Sequence, residues 1–175
     1  MTPQQKSLTK NFILRKIDFS ELEQLFPSKI DEAYLLKELT ALQISKDGEA
    51  LDCLITLAYQ IGFTEEIGRL LSKLLLEDWH EEHEEIARIL QFKVKIPESV
   101  DDMEQAMQLK FKYLVDRDNY FPFVVKCMYA IGSLNTNASK LKLQVLAASE
   151  DDFIRKAAQW QIDYRAGNNP PALDW

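Results

Sequence analysis

Phe123-Val124-Val125-Lys126-Cys127-Met128-Tyr129-Ala130-Ile131-Gly132 and Asn137-Ala138-Ser139-Lys140-Leu141-Lys142-Leu143-Gln144-Val145-Leu146-Ala147 form two apolar-periodic runs separated by a short turn. Ile154-Arg155-Lys156-Ala157-Ala158-Gln159-Trp160-Gln161-Ile162 then echoes the start of the first run, roughly 31 positions later. An earlier run, Ile86-Ala87-Arg88-Ile89-Leu90, sits roughly 40 positions upstream and leads to its own turn at Pro97-Glu98-Ser99-Val100. Amphipathic runs that recur at such spacings, each too small to bury its apolar face alone, predict stacked helical hairpins. The fold class expected is all-α, a HEAT- or armadillo-like α-solenoid of antiparallel hairpins. The repeats are clearest over 79–166, with a plain helical bundle as the rival.

The rest of the chain is helical in pattern too. Five glycines and six prolines in 175 residues leave long stretches without a breaker. Leu8 to Ile17 reads as a first helix after a polar tail over 1–7. Ser20 and Glu23 have the spacing of a capping box, with Pro27 ending the short helix that follows. Asp31 or Ser28 caps a run over Ala33–Ile44, and Lys46-Asp47-Gly48 is a turn. Leu51, Leu54, Ile55, Ala58 and Ile61 keep the spacing of a core-facing helix that Gly62 closes. Ile67, Leu70, Leu71, Leu74 and Leu75 mark the next helix. Ser99 caps a long one through Leu114, and Pro122 suits the first turn of another. Gly167-Asn168-Asn169-Pro170-Pro171 ends the array, leaving a tail over 167–175 that finishes at Trp175. The whole of 1–175 is expected to be one helical-repeat domain.

The formal charge of −7 provides no surplus of Lys and Arg for neutralising phosphates, so no general nucleic-acid partner is expected. No apolar run has the length to span a bilayer, and the start lacks a signal-peptide core, so the expected location is the cytoplasm with no membrane partner. Cys53 and Cys127 lie inside apolar runs, as small buried hydrophobes do.

Catalytic patterns are weak. His80 and His83, the only histidines, share a helical face with Glu84. The zincin pattern needs its second histidine four positions after the first, and position 84 is Glu. Glu77-x-x-His80 supplies one half of a ferritin-like dimetal site, and there is no second histidine-bearing helix to supply the other. These histidines read as a solvated face bonding neighbouring carboxylates. No nucleophile elbow, Walker loop or dinucleotide fingerprint is present, so no catalytic residue, metal or cofactor is assigned.

Binding has better material. Acidic side chains cluster at Glu77–Glu85, Glu98–Glu104, Asp116–Asp118 and Glu150–Asp152. Aromatic anchors inside a charged rim are what protein interfaces use. Stacked hairpins align equivalent turns on one rim, which would join Asp116, Asp118 and Tyr120 to the start of a helix at Trp79. The candidate partner-binding residues are therefore Asp78, Trp79, Glu81, Glu82, Glu85, Asp116, Asp118 and Tyr120.

Trp79-His80-Glu81-Glu82-His83-Glu84, then Tyr113-Leu114-Val115-Asp116, then Lys126-Cys127-Met128-Tyr129-Ala130-Ile131-Gly132 resembles a group of small bacterial HEAT-repeat proteins. That group shows a W-H-x-x-H-E segment, a Y-L-x-x-D turn and a K-C-x-x-A-L-G helix. This chain has the turn one residue tighter and Ile131 in place of Leu. Such proteins look like immunity proteins of contact-dependent growth-inhibition and polymorphic-toxin systems. The resemblance implies an antitoxin that binds the basic C-terminal domain of a cognate toxin, a nuclease, and covers its substrate groove. The reading kept beside it is a HEAT-like scaffold that binds another cellular protein.

Overall fold

The computed structural model describes residues 1–173, and Trp175 at the end of the expected tail lies outside them. Among the described residues the chain is all-α, with no strand. Its helices are α1 Pro3–Ile13, α2 Phe19–Leu25, α3 Glu32–Ser45, α4 Gly48–Ile61, α5 Glu65–Leu74, α6 His83–Phe92, α7 Ser99–Leu109, α8 Lys112–Asp116, α9 Tyr120–Leu134, α10 Asn137–Leu146 and α11 Asp152–Arg165. None is long and apolar enough to cross a membrane.

Most of these helices begin where a short oxygen-bearing side chain can accept a bond from an orphan backbone N–H. Asp31, Asp47, Thr64, Thr136 and Asp151 do so for α3, α4, α5, α10 and α11. Gly62 ends α4 with a positive φ of 106°, a conformation that costs a residue without Cβ little.

One connected core runs from Leu22 to Ala158. Within it, α3 and α4 are joined by only two residues and pack as antiparallel neighbours. The most extensive helix contact is α6 on α9, and it runs in one sense. The His83 ring meets Phe123 near the starts of both helices, and the Ser133 hydroxyl faces the Gln91 carbonyl near both ends. Between α9 and α11, Phe121 meets Phe153 at 5.1 Å and Tyr129 meets Trp160 at 5.5 Å, again in one sense. These ring pairs show that the two echoing runs, in α9 and α11, pack directly on each other.

Three local expectations shift. No polar tail covers 1–7: α1 starts at Pro3, with Thr2 and Gln5 forming a reciprocal capping box. The box of α2 is Asp18 with Glu21, two residues before the Ser20–Glu23 pair, because aspartate caps at least as well as serine. Ser99 is the first residue inside α7, its hydroxyl donating to the Ile96 carbonyl at 2.6 Å, and the long helix expected through Leu114 breaks at Lys110, whose left-handed φ of 46° separates α7 from α8. The largest departure concerns Trp79. It is not in a helix, since α6 begins only at His83.

Candidate functional site

The residues between α5 and α6 carry the site, and the two histidines hold them in place. Both are buried, His80 at 3% and His83 at 0% exposure, and their rings stack at 4.3 Å. His80 Nε2 lies 2.8 Å from the Leu74 carbonyl, so that nitrogen carries the proton, while Nδ1 accepts from the Glu82 N–H at 3.1 Å. By the same logic His83 donates through Nε2 to the Glu77 carbonyl at 2.9 Å and faces the Tyr113 hydroxyl with Nδ1 at 2.8 Å. Burial pushes both imidazoles down, His83 to about 3 with the neighbouring His80 adding to the effect. A solvated histidine face is thus corrected: the rings are neutral core groups that tie the end of α5 to a connection whose own backbone bonds stop at Glu77. All four ring nitrogens are engaged, leaving no lone pair for a metal, and no cluster of three or more potential ligands occurs among the described residues.

The start of α4 presses on the same connection. A Cβ on Gly48 would lie 3.3 Å from the Trp79 carbonyl oxygen and 3.6 Å from the His80 Cα, so a side chain there would crowd the backbone. On the other side, the Phe111 ring packs at a tilt against His83, 3.8 Å between centroids. The Glu81 carbonyl lies 3.1 Å from the Tyr113 oxygen and shares that hydroxyl's single proton with His83 Nδ1. The connection therefore lies between α4 and the residues around α8.

The result is a cleft of about 730 Å³ lined by Asp78, Trp79 and Glu81 on one wall and by Lys110, Lys112, Tyr113 and Asp116 on the other. Four predicted residues, Asp78, Trp79, Glu81 and Asp116, meet there. Glu82 and Glu85 face an adjoining concavity, which they share with Glu81, Glu84, Arg88 and Lys126. Asp118 is exposed with a left-handed φ of 56° and does not line the cleft. Tyr120 is corrected as an anchor: it is 7% exposed, packs on Phe153 and donates its hydroxyl to the Met107 carbonyl at 2.8 Å. Its place as the first residue of α9 turns it inward against the end of α7.

The acids differ in their commitments. Glu84 pairs with Lys126, Glu85 with Arg88 and the Tyr59 hydroxyl, and Glu81 with Arg117. Asp102 is buried between Ser72 and Lys73, Glu104 pairs with Lys142, and Asp151 caps α11 while pairing with Lys110. Those contacts account for most of the acidic clusters structurally. Asp78, Asp116 and Asp118 make no ion pair and cap no helix among the described residues. Asp116 moreover closes α8, the end at which a helix dipole disfavours negative charge. Glu82 is half-buried, and its carboxyl is pushed up by burial and by Asp52, Glu85 and Glu81 nearby.

Overall, 77–119 carries twelve acidic and six basic side chains, most of the chain's formal charge of −7. Arg117 and the Tyr113 hydroxyl escaped sequence reasoning, because their partners lie on a different segment. His83 did leave a signal: with Ile86, Ala87 and Leu90 it keeps the i, i+3, i+4, i+7 spacing of α6's buried stripe.

No known protein family matches the chain, and no curated protein or solved structure does either.

Proposed function

We propose that this chain is a protein-binding module that docks a basic partner domain on the face built around the α5–α6 connection. The observation that carries the reading is that Asp78 and Asp116, carboxylates without a structural task, share one cleft with the half-buried Trp79. An aromatic anchor provides apolar area, uncommitted charges steer a basic surface, and both act only when a partner arrives.

The finer reading is an immunity protein: a cytoplasmic antitoxin that covers the basic substrate groove of a cognate nuclease toxin. It rests on the resemblance of the Trp79–Glu84, Tyr113–Asp116 and Lys126–Gly132 segments to that group. A dense acidic face would speed association with such a groove, and desolvated aromatic contacts would slow release. The hairpins are proposed to form a HEAT-like array, in which α6, α9 and α11 make one layer of same-sense helices. Binding is favoured over catalysis because the cysteines and histidines, the side chains best suited to nucleophilic or general-base work near neutral pH, are all occupied. Cys53 and Cys127 are buried, with burial pushing the Cys53 thiol up to about 11 and Cys127 higher still, and both histidines are neutral and bonded.

Co-expression with the product of the adjoining gene tests this directly. Rescue of growth and a stable one-to-one complex are expected, and Asp78→Lys with Asp116→Lys should weaken the complex and flatten its salt dependence. No toxicity and no complex would reject the immunity assignment. A complex of unchanged affinity in the double variant would place the interface elsewhere.

A further inference from the structure

We propose that the cleft is an arginine-recognition site: it takes the guanidinium of a partner's arginine between the Asp78 and Asp116 carboxylates, against the Trp79 ring. This rests on the docking reading above and names the chemistry that the docked partner presents.

The molecule displays the same recognition on itself. Arg117 forks onto Glu81, with Nη1 2.6 Å from Oε2 and Nη2 3.0 Å from Oε1, and its guanidinium lies 5.7 Å from the centre of the Tyr113 ring. Glu81 and Tyr113 both line the cleft. A carboxylate on the connection and an aromatic face on α8 therefore already hold one arginine at the edge of the cleft, at a solvent-exposed position where neither partner is forced together by burial. Asp78, Asp116 and Trp79 repeat those ingredients beside it without a cation of their own. The indole N–H of Trp79 is directed to Glu77 at 2.9 Å, which fixes the ring at its place on the wall.

Geometry selects arginine over lysine. A planar guanidinium can stack on an indole while its edge donates to carboxylates on two sides, whereas an ammonium is a strongly hydrated point charge with no plane to stack. The basic residues of the cleft sharpen the choice. Lys110 is committed to Asp151 at 2.7 Å and to the Tyr120 ring, whereas Lys112 has no acidic partner among the described residues. Lys112 repels a diffuse polycation, so binding requires the directed bonds that arginine supplies.

The test is a titration of the isotope-labelled full chain, followed by NMR, with N-acetyl-arginine methylamide. N-acetyl-lysine methylamide and sodium chloride at matched ionic strength serve as controls. Expected are saturable shifts of the Trp79 indole N–H and of amides around Asp78 and Asp116, with lysine binding about tenfold weaker. Asp78→Asn with Asp116→Asn should remove the response while the folded spectrum elsewhere is retained, and Lys112→Ala should strengthen it. Equal responses to arginine and lysine, shifts that track ionic strength alone, or a response surviving in the double variant would overturn the proposal. If the arginine probe fails while partner capture succeeds, this inference falls and the docking reading stands. An arginine response without capture sinks only the partner assignment.

Discussion

The α9–α10 turn and the α5–α6 connection do the same job, reversing the chain between two packed helices, by opposite means. The first is two residues long and self-contained. Asn135 takes the left-handed conformation at φ 52° that closes α9, and Thr136 opens α10 through a capping box with Ser139. The second runs from Leu75 to Glu82 and borrows its order from elsewhere: two buried histidines, Tyr113 from α8 and close approach by Gly48 of α4. A turn satisfied locally has nothing left to present. A connection held from beneath by buried imidazoles can turn Asp78, Trp79 and Glu81 outward, and that is where the cleft forms.

The largest expected effect comes from removing the support under the longer connection. His83→Ala deletes a fully buried ring, its stack on His80, its packing on Phe111 and bonds to two segments. A loss of about 3 kcal/mol in urea unfolding is expected. A loss near zero would mean that the connection orders itself as the α9–α10 turn does.

Acid should act on the same support. Both imidazoles are neutral in the folded chain and take up protons near the ordinary value of 6.5 when unfolded. Their stabilising contribution is therefore complete above that pH and is lost as pH falls through the window down to about 3 for His83. Between pH 6.5 and 5, stability should decline by up to about 1.4 kcal/mol per pH unit for each proton taken up on unfolding. Glu82, pushed up by burial, opposes this slightly from the lower end of the window. Denaturant titrations across that range check the slope, and a flat profile would show that the rings are protonated in the fold.

The shorter turn should respond less. Thr136→Ala removes one cap and should cost about 1 kcal/mol by the same denaturant measurement, with no effect on the Trp79 environment.

The same contrast explains what could be read from the residues alone. Caps such as Asp31, Thr64 and Thr136 act over three positions, so the helices they open were legible. Of the site, the acidic and aromatic residues at Asp78, Trp79, Glu81 and Asp116 were legible as a group. Their support was not, because it depends on His83 meeting Tyr113 about thirty positions away, a contact that no local rule encodes. Acidic residues and histidines tolerate a helix, so the pattern alone carries α6 back to Trp79, four residues before it begins. Tyr120 read as an exposed anchor because its neighbours Asp116 to Asn119 are polar, whereas tertiary packing turns it inward.

The smallest expected effect tests the central claim most directly, that Asp78 and Asp116 are presented by the scaffold and do not belong to it. The measurement is the unfolding free energy of the Asp78→Ala, Asp116→Ala double variant beside the parent chain. Stability within about 0.5 kcal/mol of the parent is predicted, as for side chains without structural partners. A loss well above 1 kcal/mol would contradict the account, placing these carboxylates with Asp102 among the groups that hold the fold together.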